Sequence, residues 1–323
     1  MRYIKVNITD DSISVENDGA GIPVVMHERQ NMWVPQMVMG ELLSGDNYDD
    51  SSSRVVGGRN GYGAKLANVF STTFCVETVD SKAKKKYDRE TTIGILGGMG
   101  TQAGLDFCTK LAKLNRGKTD QNYPLFILYN KSNIPSRKQN LKKYKKVLNS
   151  LVEGCSFLQR NNCSFISMPC NTAHYWYKDL KKKIKIPILN MPELVYLNAK
   201  KNCKKNSKIG LLATDTTIKT GIYSHYFNKR FKLILPNKKL QIKSVSRSIK
   251  LVKLGRTKEA ERVIRPAVNY LIKMNCKKII LGCTELPIAI FAYKSFKKAK
   301  ISKIFMDPNL ILAEASMKKV KKR

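Results

Sequence analysis

The chain reads as an α/β protein: two half-domains, each a parallel β-sheet covered by helices, follow a shorter α+β segment. Three observations predict this. From residue 91 onward, apolar strands alternate with amphipathic helices, the pattern of parallel sheets wrapped on both faces. Two segments, FISMPCNTA (165–173) and KIILGCTEL (278–286), repeat one layout: apolar strand, small turn, cysteine, then an Asn or Thr that opens a helix. Upstream of both, SKAKKKYDRE (81–90) is polar, charged and free of apolar periodicity, and reads as a linker at a change of composition.

Taken in order, the N-terminal runs YIKVNIT (3–9), SISVEN (12–17) and FCVETV (74–79) alternate apolar with polar residues, as antiparallel strands do. Between them lie two glycine-rich stretches, NDGAGIP (17–23) and VGGRNGYGAKLANVF (56–70), of the kind that lets backbone amides approach phosphate. After the linker, strands are predicted at TIGIL (92–96), LFILY (125–129), CSFISM (163–168), KIGLLA (208–213), FKLIL (231–235) and KKIILG (277–282). Helices are predicted over 139–160, 173–183, 193–203, 257–273 and 308–320. About 230 residues suit two such half-domains.

Composition narrows the function classes. A chain of 323 residues with 42% hydrophobic content is globular in kind. No stretch approaches the ~20 apolar residues of a membrane span, and MRYIKVNITDDSISV lacks the apolar centre of a signal peptide. A cytoplasmic protein without membrane partners is expected. Eight cysteines with no CxxC pair and only three histidines argue against a zinc site or a disulfide framework. Six of the cysteines are read as small hydrophobes.

The formal charge of +36 is unevenly placed. Residues 1–90 hold 11 basic and 13 acidic side chains, and residues 91–323 hold 49 basic and 11 acidic. Forty of those 49 are lysines spread through every predicted helix and loop, whereas nucleic-acid readers favour arginine forks. The excess therefore fits a lysine-rich coding bias better than a nucleic-acid partner, and it would attract acidic substrates.

The repeated cysteine layout carries the chemistry. Ligands of α/β sheets sit outside the carboxyl ends of the strands, so two equivalent strand ends would offer Cys170 and Cys283 to one cleft from opposite sides. Inverting an α-carbon needs one group to remove the proton from one face and another to deliver a proton to the other. Because the reverse reaction exchanges the roles, the two groups should be alike. A thiolate and a thiol suit this when helix N-termini or cations lower the thiol pKa from ~8.5. Asn171, Thr172 and Thr284 can orient the sulfurs. His174, one helical turn after Cys170, is read as a plain helix residue.

The wording of the N-terminal segment is more specific than its glycines. ENDGAGIPVVMHE (16–28), MVMGELLSGDNYDD (37–50) and GGRNGYGAKLANVFST (57–72) resemble the ATPase domain of eukaryotic type II DNA topoisomerases, over about the first 80 residues. The resemblance implies that Asn17 would face a nucleotide and that Gly58, Arg59, Asn60, Gly61, Tyr62, Gly63 and Lys65 would wrap its phosphates, with Asn47 nearby. Gly45 and Asp46 replace family serines. The family helix that carries the general-base glutamate and the magnesium-binding asparagine is not among the matched residues. Without base and metal ligand, phosphoryl transfer is not expected, and the segment reads as a fragment with a vestigial nucleotide site.

Residues 91–323 resemble the aspartate/glutamate racemase superfamily through GILGGMG (94–100), SNIPSR (132–137), MPCNTAHYWY (168–177), GLLATDTT (210–217), LVKLG (251–255), LGCTELP (281–287) and MDPN (306–309). The resemblance implies two pseudo-symmetric Rossmann-like halves, a small amino-acid substrate, a homodimer, and neither pyridoxal phosphate nor metal. Cys170 and Cys283 would be the catalytic pair. Arg137 and Lys253 would grip the substrate's carboxylates, the GGMG turn with Met99 and Gly100 would present backbone amides, and Asn171, Thr172, Ala173 and Thr284 would line the site. Glu285, where glutamate racemases carry histidine, points to the aspartate branch. Thr101, Gly104 and Ser136 depart from the usual family wording.

GMGTQA (98–103) fits a dinucleotide fingerprint, but LFILYN does not end in the acid that would hold a ribose. Isomerisation or decarboxylation of small dicarboxylic acids needs only one thiol, so two favour racemisation. A DNA- or ATP-binding protein of topoisomerase type would rest on the N-terminal fragment and the basic remainder.

Overall fold

A computed structural model describes residues 1–10, 12–28, 30, 32–40, 66–67, 71, 74, 76–88, 91–114, 123–137, 144–291 and 302–321. The chain separates into two compact units, Met1–Glu90 and Thr91–Arg323.

In the first unit, β1 (Ile4–Ile8) and β2 (Ile13–Asn17) form an antiparallel hairpin with Val6 opposite Val15 and Ile8 opposite Ile13. Short strands β3 (Met26–His27) and β4 (Met32–Trp33) lead into helix α1 (Val34–Gly40). Strand β5 (Glu77–Asp80) pairs antiparallel with β6 (Lys85–Asp88). This corrects the expected linker: within 81–90 only Ser81–Lys84 is the turn, and Lys85–Asp88 is a strand. The run of lysines carries no apolar alternation, and the strand is defined by its backbone pairing with β5. Asp80 closes the turn by accepting from the amides of Lys82 and Ala83, and its other oxygen accepts from Val24 N–H at 3.1 Å.

The second unit is α/β, as expected. Its first sheet consists of β7 (Ile93–Gly97), β8 (Phe126–Asn130) and β9 (Phe165–Ser167), all parallel, in the order β8-β7-β9. A parallel bridge between Ile166 and Ile188 adds a fourth short edge beside β9. The second sheet consists of β10 (Lys208–Ala213), β11 (Lys232–Ile234), β12 (Lys278–Gly282) and β13 (Phe305–Met306), parallel in the order β11-β10-β12-β13. In both sheets the first strand is central, the second lies on one side, and the third then the fourth lie on the other. The pseudo-repeat suggested by the cysteine segments is thus a repeat of topology, with β9 equivalent to β12.

Helices cover both faces of each sheet because the inner strands β7, β10 and β12 bury side chains on both sides. On the first sheet, α2 (Thr101–Leu114) sends Phe107 and Leu111 against Ile93 and Ile95, while α3 (Tyr144–Arg160) sends Leu151 and Cys155 against Leu96 and Ile166. A 3-10 turn over Thr172–Trp176 runs into α4 (Tyr177–Lys183), replacing the single helix expected over 173–183. Helix α5 (Met191–Asn202) crosses between the halves: Met191 packs with the first core, Val195 and Ala199 with Ile209 and Leu211 of the second.

In the second half, α6 (Asp215–Lys219), α7 (Ser224–Phe227), α8 (Lys238–Leu240), a π-turn over Gln241–Ser246, and α9 (Arg247–Lys253) precede α10 (Thr257–Lys273), which packs Ile264, Val268 and Leu271 on the sheet. Helix α11 (Glu285–Phe291) follows β12, and the last helix, α12 (Pro308–Lys321), returns to the first half, where Leu312, Ala313 and Met317 join Ile93 and Phe107. The two halves are interleaved by α5 and α12.

Candidate active site

The chain leaves β9 through Met168 and Pro169 to reach Cys170, and it leaves β12 directly into Cys283. Each cysteine therefore stands at the carboxyl end of the third strand of its sheet, where α/β folds hold ligands. Both thiols are mostly enclosed, 6% exposed at Cys170 and 8% at Cys283.

Around Cys283 the predicted residues converge. Its Sγ donates to Glu285 Oε2 at 2.9 Å, and Thr284 Oγ1 donates to the same oxygen at 3.4 Å. The other carboxylate oxygen, Oε1, faces Lys253 Nζ at 3.5 Å. Gly100 lies against this carboxylate, since a Cβ built there would stand 3.1 Å from Oε1. Arg137 joins the group through Met99, whose carbonyl accepts from its guanidinium at 2.7 Å, with a second contact to Pro135 O at 3.4 Å. Burial first, and then the Glu285 carboxylate, push the Cys283 thiol well above its ordinary value. Cys283 accordingly rests protonated, with its proton directed at Glu285.

Around Cys170 the structure adds residues that the sequence did not single out. Asn171 is buried, and its Oδ1 accepts from the hydroxyl of Tyr223, which the sequence left unassigned. Thr172 Oγ1 is 2.7 Å from Thr217 Oγ1, and Thr217 is in turn 2.9 Å from Thr214 Oγ1 at the start of α6. GLLATDTT held the signal for Thr214 and Thr217; Tyr223 carries none, because nothing local distinguishes a tyrosine that reaches across a domain. Ala173 is buried in the first hydrophobic core, in the same cluster as Met99, Cys170 and Trp176. His174 differs from expectation. It is buried, with Nδ1 2.9 Å from Cys170 O and Nε2 3.3 Å from Leu189 O, so it fastens the cysteine loop to the edge beside β9.

In the N-terminal unit, Asn17 is exposed and its Oδ1 accepts from Gly19 N–H at 3.0 Å, an ordinary Asx turn. Asn47, Gly58, Arg59, Asn60, Gly61, Tyr62, Gly63 and Lys65 lie outside the described residues. Among the described residues, no three His, Cys, Asp or Glu side chains converge as a metal site requires, no disulfide is formed, and no helix is long and apolar enough to cross a membrane.

Comparison with known proteins separates the same two regions. The N-terminal part of the chain is similar to the mitochondrial DNA topoisomerase 2 of Dictyostelium discoideum, 60% identical over 89 residues, which cover 27% of this chain and 7% of that protein. The chain thus spans only a small part of the topoisomerases it matches. Its fold is similar to that of the aspartate racemase of Picrophilus torridus, with 31% identity and a TM-score of 0.62, over 72% of this chain and 95% of that one. An aspartate racemase homologue from Pyrococcus horikoshii OT3 shares the fold at 24% identity and a TM-score of 0.60, over 72% of this chain and all of that one. The family model for Asp/Glu/Hydantoin racemases matches residues 96–315, which hold both strand-end cysteines, and the chain belongs to that family.

Proposed function

We propose that this chain is a cofactor-independent amino-acid racemase, acting on aspartate, in which Cys170 and Cys283 exchange protons with opposite faces of the α-carbon. The observation that carries this reading is the placement of two thiols at topologically equivalent strand ends of two sheets with the same strand order. Aspartate is favoured by Glu285 and by the 31% identity to the aspartate racemase of Picrophilus torridus.

With Cys283 held as a thiol, Cys170 enters as thiolate and takes the α-proton; the electron pair left on the α-carbon spreads into the adjacent carboxylate. Cys283 gives its proton to the opposite face, and the product leaves Cys170 as thiol and Cys283 as thiolate. The opposite enantiomer runs the same path backwards. The Glu285 carboxylate, which accepts the hydrogen bond of the Cys283 thiol, also faces the Lys253 ammonium, and this cation would offset the negative charge left when Cys283 becomes a thiolate. Removing an α-proton without an electron sink is difficult. Arg137 and Lys253 would offset part of the developing charge, and fixed orientation between two thiols supplies much of the rest.

The test is incubation of the pure protein with L-aspartate in heavy water, without added cofactor, following α-deuterium and the D-enantiomer. The expected result is exchange with racemisation in the wild type, and loss of racemisation by at least about 10²-fold in both Cys170→Ser and Cys283→Ser. Racemisation of glutamate alone would keep the mechanism and change the substrate. Full turnover by Cys283→Ser would overturn the two-thiol mechanism, and inertness towards every amino acid would overturn the racemase reading.

A further inference from the structure

The residue that meets the Cys170 loop from the second half-domain belongs to neither cysteine segment. Tyr223 precedes α7 and is fully buried, its ring packed edge-on to Phe227 with centroids 6.0 Å apart. Its hydroxyl donates to Asn171 Oδ1, one residue from Cys170. Burial first, and then the nearby Asp307 carboxylate, raise the pKa of this phenol well above its ordinary value and keep its proton in place. It is therefore a neutral donor facing Asn171.

That bond has a geometric consequence. An amide side chain has two orientations, and a donor on its oxygen selects one of them. With Oδ1 engaged by Tyr223, the Nδ2 group of Asn171 is left buried and without a partner. A buried, unpaired donor beside Cys170 is poorly satisfied until an acceptor arrives. A carboxylate oxygen of an amino acid is such an acceptor. The neighbouring Thr172–Thr217 contact at 2.7 Å holds the following residue from the same side of the fold, so the amide cannot easily swing away.

We propose that Tyr223 is a positioning residue of the racemase site: by holding Asn171 Oδ1 it presents Asn171 Nδ2 to a substrate carboxylate and so sets the α-carbon against Cys170. This rests on the racemase reading above. Tyr223 is not a proton carrier in this scheme; it acts only through Asn171.

The experiment is a double-mutant cycle of Tyr223→Phe and Asn171→Ala, read by the steady-state racemisation of aspartate in both directions. Tyr223→Phe removes one oxygen and keeps the ring in its apolar setting. It is expected to raise KM about tenfold with an unchanged melting temperature, and to have less than about a twofold effect when Asn171 is already alanine. Equilibrium titration of aspartate onto the same four proteins reads the cycle should the double variant turn over too slowly. An unchanged KM and affinity in Tyr223→Phe, or the same loss with and without Asn171, would overturn the positioning role while leaving the racemase reading intact. A wild type that neither binds nor racemises any amino acid would remove both.

Discussion

At the scale of single residues, the site is built from polar groups that would be costly if misplaced. His174 is the clearest case. A neutral imidazole has one N–H, yet both ring nitrogens face carbonyl oxygens in a buried setting. Burial lowers its pKa from the ordinary 6.5. A histidine that resists protonation when folded, but not when unfolded, contributes stability that is complete above 6.5 and lost as pH falls below it. The melting temperature is therefore expected to drop between about pH 7 and about pH 5, with His174 supplying part of the loss. In His174→Asn the drop should be shallower, and equal slopes for the two proteins would assign the acid sensitivity elsewhere. The sequence showed His174 only as a residue one turn from Cys170. That its ring is enclosed depends on Leu189, fifteen residues away, which no local pattern reports.

At the scale of elements, the strands of the second unit were legible except the two-residue β13, and several of its helices were not. A parallel strand buried on both faces is a continuous apolar run, so KIGLLA and KIILG declare themselves. Helix α2 keeps only Ala103, Gly104, Phe107 and Leu111 buried, and it begins inside a glycine-rich turn that obscures its start. Helices α6 to α8 are three to five residues long, too short for periodicity to register.

The turn before α2 also carries a prediction. Gly98 has φ +84°, and a Cβ there would stand 2.2 Å from the carbonyl carbon of Lys131, which leads the chain out of β8. Gly98→Ala is expected to cost more than about 3 kcal/mol and to disturb the placement of Met99 and Gly100. Gly221→Ala, at φ +66° with nothing within 4 Å, should cost only about 1 kcal/mol for its backbone conformation. Urea titration of both variants checks the difference, and equal losses would mean that crowding at Gly98 is relieved by a shift of the β8 exit.

At the scale of the whole molecule, charge and topology act over distances no motif spans. With 60 basic and 24 acidic residues the chain repels itself, and salt screens that repulsion. The melting temperature is expected to rise between about 20 mM and about 300 mM salt at neutral pH. A flat or falling response would show that ion pairs such as Lys110 with Asp106 and Asp307 outweigh the net repulsion.

The sequence by itself determined the α/β class of residues 91–323, the two cysteine-bearing strand ends and the family resemblance, because apolar runs, turns and short motifs are local properties of a chain. It also marked the change of character near residue 90. Only the tertiary structure decided that Lys85–Asp88 pairs as a strand, that both sheets share one strand order, that α12 returns to the first half, and that Tyr223 meets Asn171. Those contacts join residues far apart in the chain. Their partners are selected by packing and hydrogen-bond satisfaction in the folded interior, which leave no periodic trace in the order of the amino acids.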